Sequence, residues 1–243
     1  MQVRDSGRLS AEENMRLDAE LLEGADQLEA PLLRLYEWEG DSATYGYFTD
    51  PAKLLDVGEA NRRGLHLARR PTGGGIVFHI WDMAFSVIVP AHSPLLSNNT
   101  LENYALVNNA VLDAVKEFLQ GNPPLSLTPE DFKPWDRDCF HFCMAKPTQY
   151  DVMWEGKKIA GAAQRKTKKG FLHQGTIALT LPPAEYLEAV LLPGTQVKQA
   201  MFAHTYPLLG GAASPEQVAS AKQKLRSLLA THLREAPVSS CAL

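Results

Sequence analysis

Cysteine is scarce in this chain of 243 residues: Cys139, Cys143 and Cys241 are its three copies. An odd number at irregular spacing cannot make an even disulfide framework. The first ten residues, Met1 to Ser10, lack the apolar core of a secretory signal. No window approaches the roughly 18 to 20 apolar residues that a membrane-crossing helix needs. A large charge imbalance is missing too. Lys and Arg number 24 against 28 Asp and Glu, a net charge of -4 that lacks the basic excess of a nucleic-acid binder. These absences point to a cytoplasmic protein in a reducing compartment, with free thiols and neither membrane nor nucleic acid as partner. Internal repeats and low-complexity linkers are also absent. The length and the 45% hydrophobic content suit one large domain or two small ones, with a single domain over 1–243 expected.

The elements alternate in kind. Ser10 and Glu13 form a capping box for a helix that carries Met15, Ala19 and Leu22 on one face and ends at Gly24. Leu32 to Trp38 reads as a strand, Asp41 to Tyr47 as a turn running into a short aromatic strand at 45–48. Asp50-Pro51 opens a helix that ends near Gly58 or Arg63. Leu65 and Leu67 suggest a strand, and Ile76 to His79 pairs with Ala84 to Val89 as a hairpin. Asn99 caps a helix whose apolar positions run from Tyr104 to Phe118. Cys139 to Met144, Tyr150 to Trp154, Ile159 to Ala163 and Thr176 to Leu181 read as strands, with Glu155 to Lys158 as a turn. Pro182-Pro183 opens a short helix, Ser214-Pro215 a longer one, and Pro237 to Leu243 is a frayed tail. Strands in adjacent pairs with helices in blocks predict an α+β fold with a mixed or antiparallel sheet.

Three stretches carry polar chemistry. Arg69-Arg70-Pro71-Thr72-Gly73-Gly74-Gly75 joins forked donors to a backbone free of Cβ atoms. It is either a turn between strands or a loop for an anion. Gly156-Lys157-Lys158 precedes the small residues Ala160 to Ala163. It is either a solvated basic turn or a lysine aimed at a carbonyl across a roomy strand. His173-Gln174-Gly175 is unremarkable alone and fits a structural histidine.

Together, RRPTGGGIVFH (69–79), GKKIAGAAQ (156–164) and LHQGTI (172–177) resemble the lipoate/octanoate attachment family, which is related to biotin protein ligases. Order and spacing agree over roughly residues 8–195. The chain departs from many members in reading His173-Gln174-Gly175 where they have Gln-His-Gly or His-His-Gly. The resemblance implies a biotin/lipoate-ligase-like catalytic domain whose glycine stretch lines a tunnel for an eight-carbon acyl chain. It also implies that Lys158 contacts the acyl carboxylate or carbonyl. Substrate-binding positions carried over are Arg69, Arg70, Gly73, Gly74, Gly75, His79, Gly161, Ala163, Gln164, His173, Gly175 and Thr176; no metal ligands are implied. Partners would be lipoyl domains of 2-oxoacid dehydrogenase complexes or the glycine cleavage H protein, with acyl-carrier protein as a donor.

The family holds two chemistries. Ligases activate lipoate with ATP and Mg; transferases pass octanoyl through a cysteine thioester and need no cofactor. Cys143 lies where one transferase branch places its nucleophile, and a thiolate both attacks and leaves a thioester easily. The competing reading is a buried strand cysteine like Cys139, four residues earlier on the same parity. The expected function is an octanoyl or lipoyl transferase working through Cys143, with an ATP-dependent lipoate–protein ligase as the alternative. Arg165, Lys166, Lys168 and Lys169 form either a docking patch for an acidic domain or a solvated turn.

Overall fold

The computed structural model describes residues 1–236; the expected frayed tail lies outside them. In chain order it contains β1 (Gln2–Leu9), α1 (Ala11–Glu23), β2 (Leu32–Trp38), β3 (Ser42–Tyr45), α2 (Val57–Arg62), β4 (His66–Arg69), β5 (Val77–His79), β6 (Asp82–Pro90) and α3 (Thr100–Leu119). There follow β7 (Ser126–Leu127), β8 (Val152–Trp154), β9 (Lys157–Lys166), β10 (Gly170–Ala178), α4 (Ala184–Val190), α5 (Val197–His204) and α6 (Pro215–Glu235). The helix ends obey their caps. Ser10 and Glu13 close the capping box of α1, Asn99 caps α3, and Ser214 with Gln217 does the same for α6.

Seven strands form one sheet in the order β1-β2-β6-β10-β9-β8-β7. Only β1 and β2 run parallel; the remaining neighbours are antiparallel. A second sheet has the order β4-β3-β5. α3 and α6 cover one face of the large sheet, with Val107, Val111, Leu225 and Leu229 packed on Phe85, Val87, Phe171 and Ile177. α1 and the small sheet cover the other face. The alternation along β10 assigns those faces: Phe171 and Ile177 point to α3 and α6, while Gln174 and Thr176 point to α1 and the small sheet. A cavity lies between the layers on that second side.

Several expectations are corrected. β5 and β6 do not form a hairpin, because Trp81 adopts φ 58° and the chain turns out of the small sheet into the large one. Residues 139–144 are not a strand. Asp136 accepts the Cys139 N–H at 2.7 Å and a short 3-10 turn, Cys139–His141, follows. The shared parity of the two cysteines therefore fails: Cys139 is buried and Cys143 is half-buried. The turn before β9 is made by Glu155 and Gly156, at φ 49° and 74°, so Lys157 and Lys158 belong to the strand. The aromatic strand lies earlier than expected, at β3, and β10 starts six residues before Thr176. After Pro51 the chain makes a 3-10 turn, Pro51–Lys53, before α2 begins. Elements β1, β7 and α5 go beyond those expected.

Candidate active site

The glycine stretch and the cysteine are joined by backbone. A Cβ on Gly75 would sit 2.1 Å from the His141 carbonyl oxygen, so only glycine lets the two chains approach. At that approach Ile76 N–H donates to His141 O at 2.6 Å, and Cys143 N–H donates to Ile76 O at 3.1 Å. Two stretches about 70 residues apart in sequence thus form one strip, with the Cys143 sulfur 3.8 Å from where a Cβ on Gly74 would stand.

Lys158 is fixed from two sides. Its ammonium donates to the Cys143 carbonyl at 2.8 Å and pairs with Asp151 at 2.8 Å, both side chains being about 3% exposed. Asp151 also accepts from the Thr148 N–H and hydroxyl at 2.6 and 3.0 Å. Burial pushes the Asp151 carboxyl up, and the Lys158 charge opposes it. Gly161 makes room for this pair: a Cβ there would lie 2.4 Å from the lysine nitrogen and 2.7 Å from Asp151. So part of the space expected for ligand is taken by the lysine itself. Sequence reasoning missed Asp151. Its signal is weak, a lone carboxylate just before β8, brought opposite Lys158 by the turn into β9.

A narrow inner cavity opens beside this group. Its walls include Met15, Tyr36, Trp38 and Val77, with Gly161, Ala162, Ala163, Gly175 and Thr176 on the sheet side. Its apolar lining, set with a few polar groups, is of the kind that small-molecule sites use. Arg70 lines it too. One terminal nitrogen donates to the Thr44 carbonyl and hydroxyl, both at 2.9 Å; the other donates to Gly73 O and Gly75 O at 3.0 and 2.7 Å. Burial pulls the Arg70 guanidinium down, and the neighbouring Cys143 sulfur acts in the opposite sense. An arginine can only donate. The Thr44 hydroxyl is then free to give its own proton to His79 Nε2, 2.8 Å away. His79 Nδ1 lies 2.7 Å from Asp82 Oδ2, which also accepts from Thr176. Burial works to raise the Asp82 carboxyl, but His79 and these hydrogen bonds hold it below the usual range. The result is a buried relay, Arg70–Thr44–His79–Asp82, along one wall. A second network, Thr72–Gln174–Asp18–Arg34, ties the loop before the glycines to α1 and β2, with 2.7 to 2.8 Å contacts.

An outer groove adjoins the cavity and shares Cys143, Lys158, Ala162 and Ala163 with it. The groove is where Gly73, Gly74, Gly75 and Gln164 lie, so the glycine stretch faces it and not the inner cavity. Arg69 enters neither; it is exposed and stacked over Tyr47. His173 points the other way, towards α3, fully buried against Phe85 and Tyr104. Its Nδ1 meets Gln164 Nε2 at 2.8 Å, and burial alone pulls its pKa down to about 3. Its orientation makes His173 a support for Gln164. The two thiols differ in kind. Burial, followed by the Asp136 side chain, pushes Cys139 up to about 12, whereas Cys143 opens on the groove. Among the described residues, no cluster of three or more His, Cys, Asp or Glu is arranged to hold a metal ion. No helix among them is long and apolar enough to cross a membrane.

The chain is similar to known proteins in sequence and in fold. The octanoyltransferase LipM of Bacillus cereus is 32% identical over 199 residues, covering 81% of this chain and 72% of the relative. The fold matches a lipoate-protein ligase A crystal structure bound with ATP, at a TM-score of 0.65 and 22% identity, over 97% of this chain and 95% of the other. It also matches the bipartite lipoate protein ligase of Thermoplasma acidophilum, described with its E2 lipoyl domain, at 0.62 and 21%, over 99% and 95%. Residues 10–203, which hold the cavity, the groove and both networks, match the family model of the lipoyl protein ligase A/B catalytic domain, and the chain belongs to that family.

Proposed function

We propose that this enzyme transfers an octanoyl or lipoyl group to the lysine of a lipoyl domain through a thioester on Cys143. The carrying observation is the position of Cys143 at the boundary of an apolar inner cavity and an open outer groove, beside Arg70 and on the backbone that Lys158 grips. The cavity takes the acyl tail and the groove admits the two protein partners. The Cys143 thiolate attacks the donor thioester carbonyl; the carrier's C–S bond breaks and its sulfur leaves with a proton from solvent. Arg70 supplies a buried positive charge beside the sulfur, and Lys158 one beside the reacting carbonyl. The acceptor ε-amine then attacks the enzyme thioester. An amide forms, Cys143 leaves as thiolate, and the amine gives its proton to solvent. No cofactor is consumed. The relatives named octanoyltransferase favour this reading over the ATP-dependent ligase. The acceptors proposed are lipoyl domains of 2-oxoacid dehydrogenase complexes or the glycine cleavage H protein, with acyl-carrier protein as donor, in the reducing cytoplasm.

The test offers an apo lipoyl domain either octanoyl-acyl-carrier protein or lipoate with ATP and Mg. Product and an octanoyl adduct on Cys143 by intact mass are expected with the carrier donor. Cys143→Ser should abolish both and Cys139→Ala neither. Product only with ATP, unaffected by Cys143→Ser, refutes the thioester route and installs the ligase reading.

A further inference from the structure

We infer that Arg69 and Arg165, stacked on Tyr47 beside the bare ring of Phe48, form the docking surface for an acidic face of the acceptor domain. This rests on the acyl-transfer reading for the identity of the partner. The Arg69 guanidinium carbon stands 4.8 Å from the Tyr47 ring centroid and that of Arg165 5.5 Å. Phe48 packs edge-on against Tyr47 at 5.1 Å and is 93% exposed. The cluster is built, not a loose collection. Tyr47 N–H donates to Thr72 O at 2.9 Å, Arg165 donates to Pro71 O at 3.1 Å, and the Thr49 hydroxyl donates to Gly74 O at 3.0 Å. Each bond fastens the cluster to the glycine stretch, and Phe48 and Gly74 line the groove that leads to Cys143.

The positive charge of the cluster calls for an acidic occupant. Arg8, Arg62, Arg63 and Arg226 each pair with a carboxylate of this chain. Among the described residues Arg69 and Arg165 pair with none; both are exposed over the Tyr47 ring, and a guanidinium has donors enough to take a carboxylate there. An exposed aromatic flanked by arginines is the composition of a protein-contact centre. Leu101 and Phe140 extend the apolar part along the same groove. The basic turn beyond Arg165 does not contribute equally. Lys166 is bonded to Ser97 O at 3.1 Å, and Lys169 to Glu23 O at 2.6 Å and Asp26 at 3.8 Å.

The experiment measures binding of an apo lipoyl domain to the full chain by calorimetry, without turnover, at low and high NaCl. Arg69→Glu/Arg165→Glu should weaken binding about 10- to 100-fold at low salt and flatten its salt dependence. Phe48→Ala should weaken binding while keeping the wild-type salt slope. Arg69→Gln alone, with thermal melting as the fold check, should fall between wild type and the double variant. Unchanged affinity, or an unchanged salt slope in the double variant, overturns the assignment. So does a loss seen with acyl-carrier protein but not with the lipoyl domain. Because binding is read without chemistry, a Cys143 that never acylates would refute the proposed mechanism and leave this result standing.

Discussion

Lys158→Met separates the two duties of the lysine. It leaves the Asp151 carboxylate buried without its cation, and removing one partner of a buried pair costs about 3–5 kcal/mol. Asp151 keeps its two hydrogen bonds from Thr148, which places the loss near the lower figure, about 3 kcal/mol. For a chain of this size that is a fall of roughly 6–12 °C in Tm. The loss depends on pH. Burial already raises the Asp151 carboxyl, and without Lys158 it rises further. A carboxyl higher in the folded than in the unfolded state favours folding when protonated. Its contribution is present below the unfolded value and is lost as pH rises through the folded one. The deficit should therefore be large at about pH 8 and shrink at about pH 5. Asp151→Asn/Lys158→Met removes both charges and should regain most of the stability while forming no acyl-enzyme. Urea melts at both pH values read the first duty, and intact mass after mixing with donor reads the second. A Lys158→Met protein as stable as wild type at the higher pH refutes the stability reasoning, as does a deficit that ignores pH. An active double variant refutes the catalytic role.

Two further outcomes follow from the cavity. Shortening the donor acyl chain from eight carbons to six removes two buried methylenes, about 1.6 kcal/mol, so kcat/KM should drop about 15-fold; a flat chain-length profile would show that the tail does not bind in the inner cavity. Gly161→Ala drives a methyl into Lys158 and Asp151, which are pinned and cannot both yield. Turnover should fall at least tenfold, with about 1–3 kcal/mol lost in urea melts. Normal turnover would mean that the lysine position is not critical.

The helix ends were legible because capping is local: Ser10, Asn99 and Ser214 announce themselves within four residues. Strand β2 was legible from its length of apolar sequence, and the α+β class from the order of elements. Elements that owe their form to distant partners were not. β1 carries exposed polar residues on both faces and is a strand only because the β2 edge accepts it. The run from Cys139 to Met144 has strand composition, yet its backbone pairs with Ile76 and with the Asp136 carboxylate instead. In the site, the motifs located Arg70, Lys158, Gly75 and Gly161. The resemblance named Cys143. What sequence left open was direction: whether Arg69 or Arg70 turns inward, and which way His173 faces. Backbone register decides both: Arg70, one residue past β4, bonds its N–H to Tyr45 O, and His173 takes its face from the pairing of β10 with β6 and β9.

Cys143, Lys158, Ala162 and Ala163 form a threshold common to cavity and groove. On the thioester route, donor and acceptor must use that threshold in turn, since the donor has to reach the Cys143 sulfur and the acceptor amine the carbonyl that sulfur then carries. The kinetics are then of the ping-pong kind. Double-reciprocal plots at several acceptor concentrations run parallel, and the discharged carrier competes with the acceptor, not with the loaded donor.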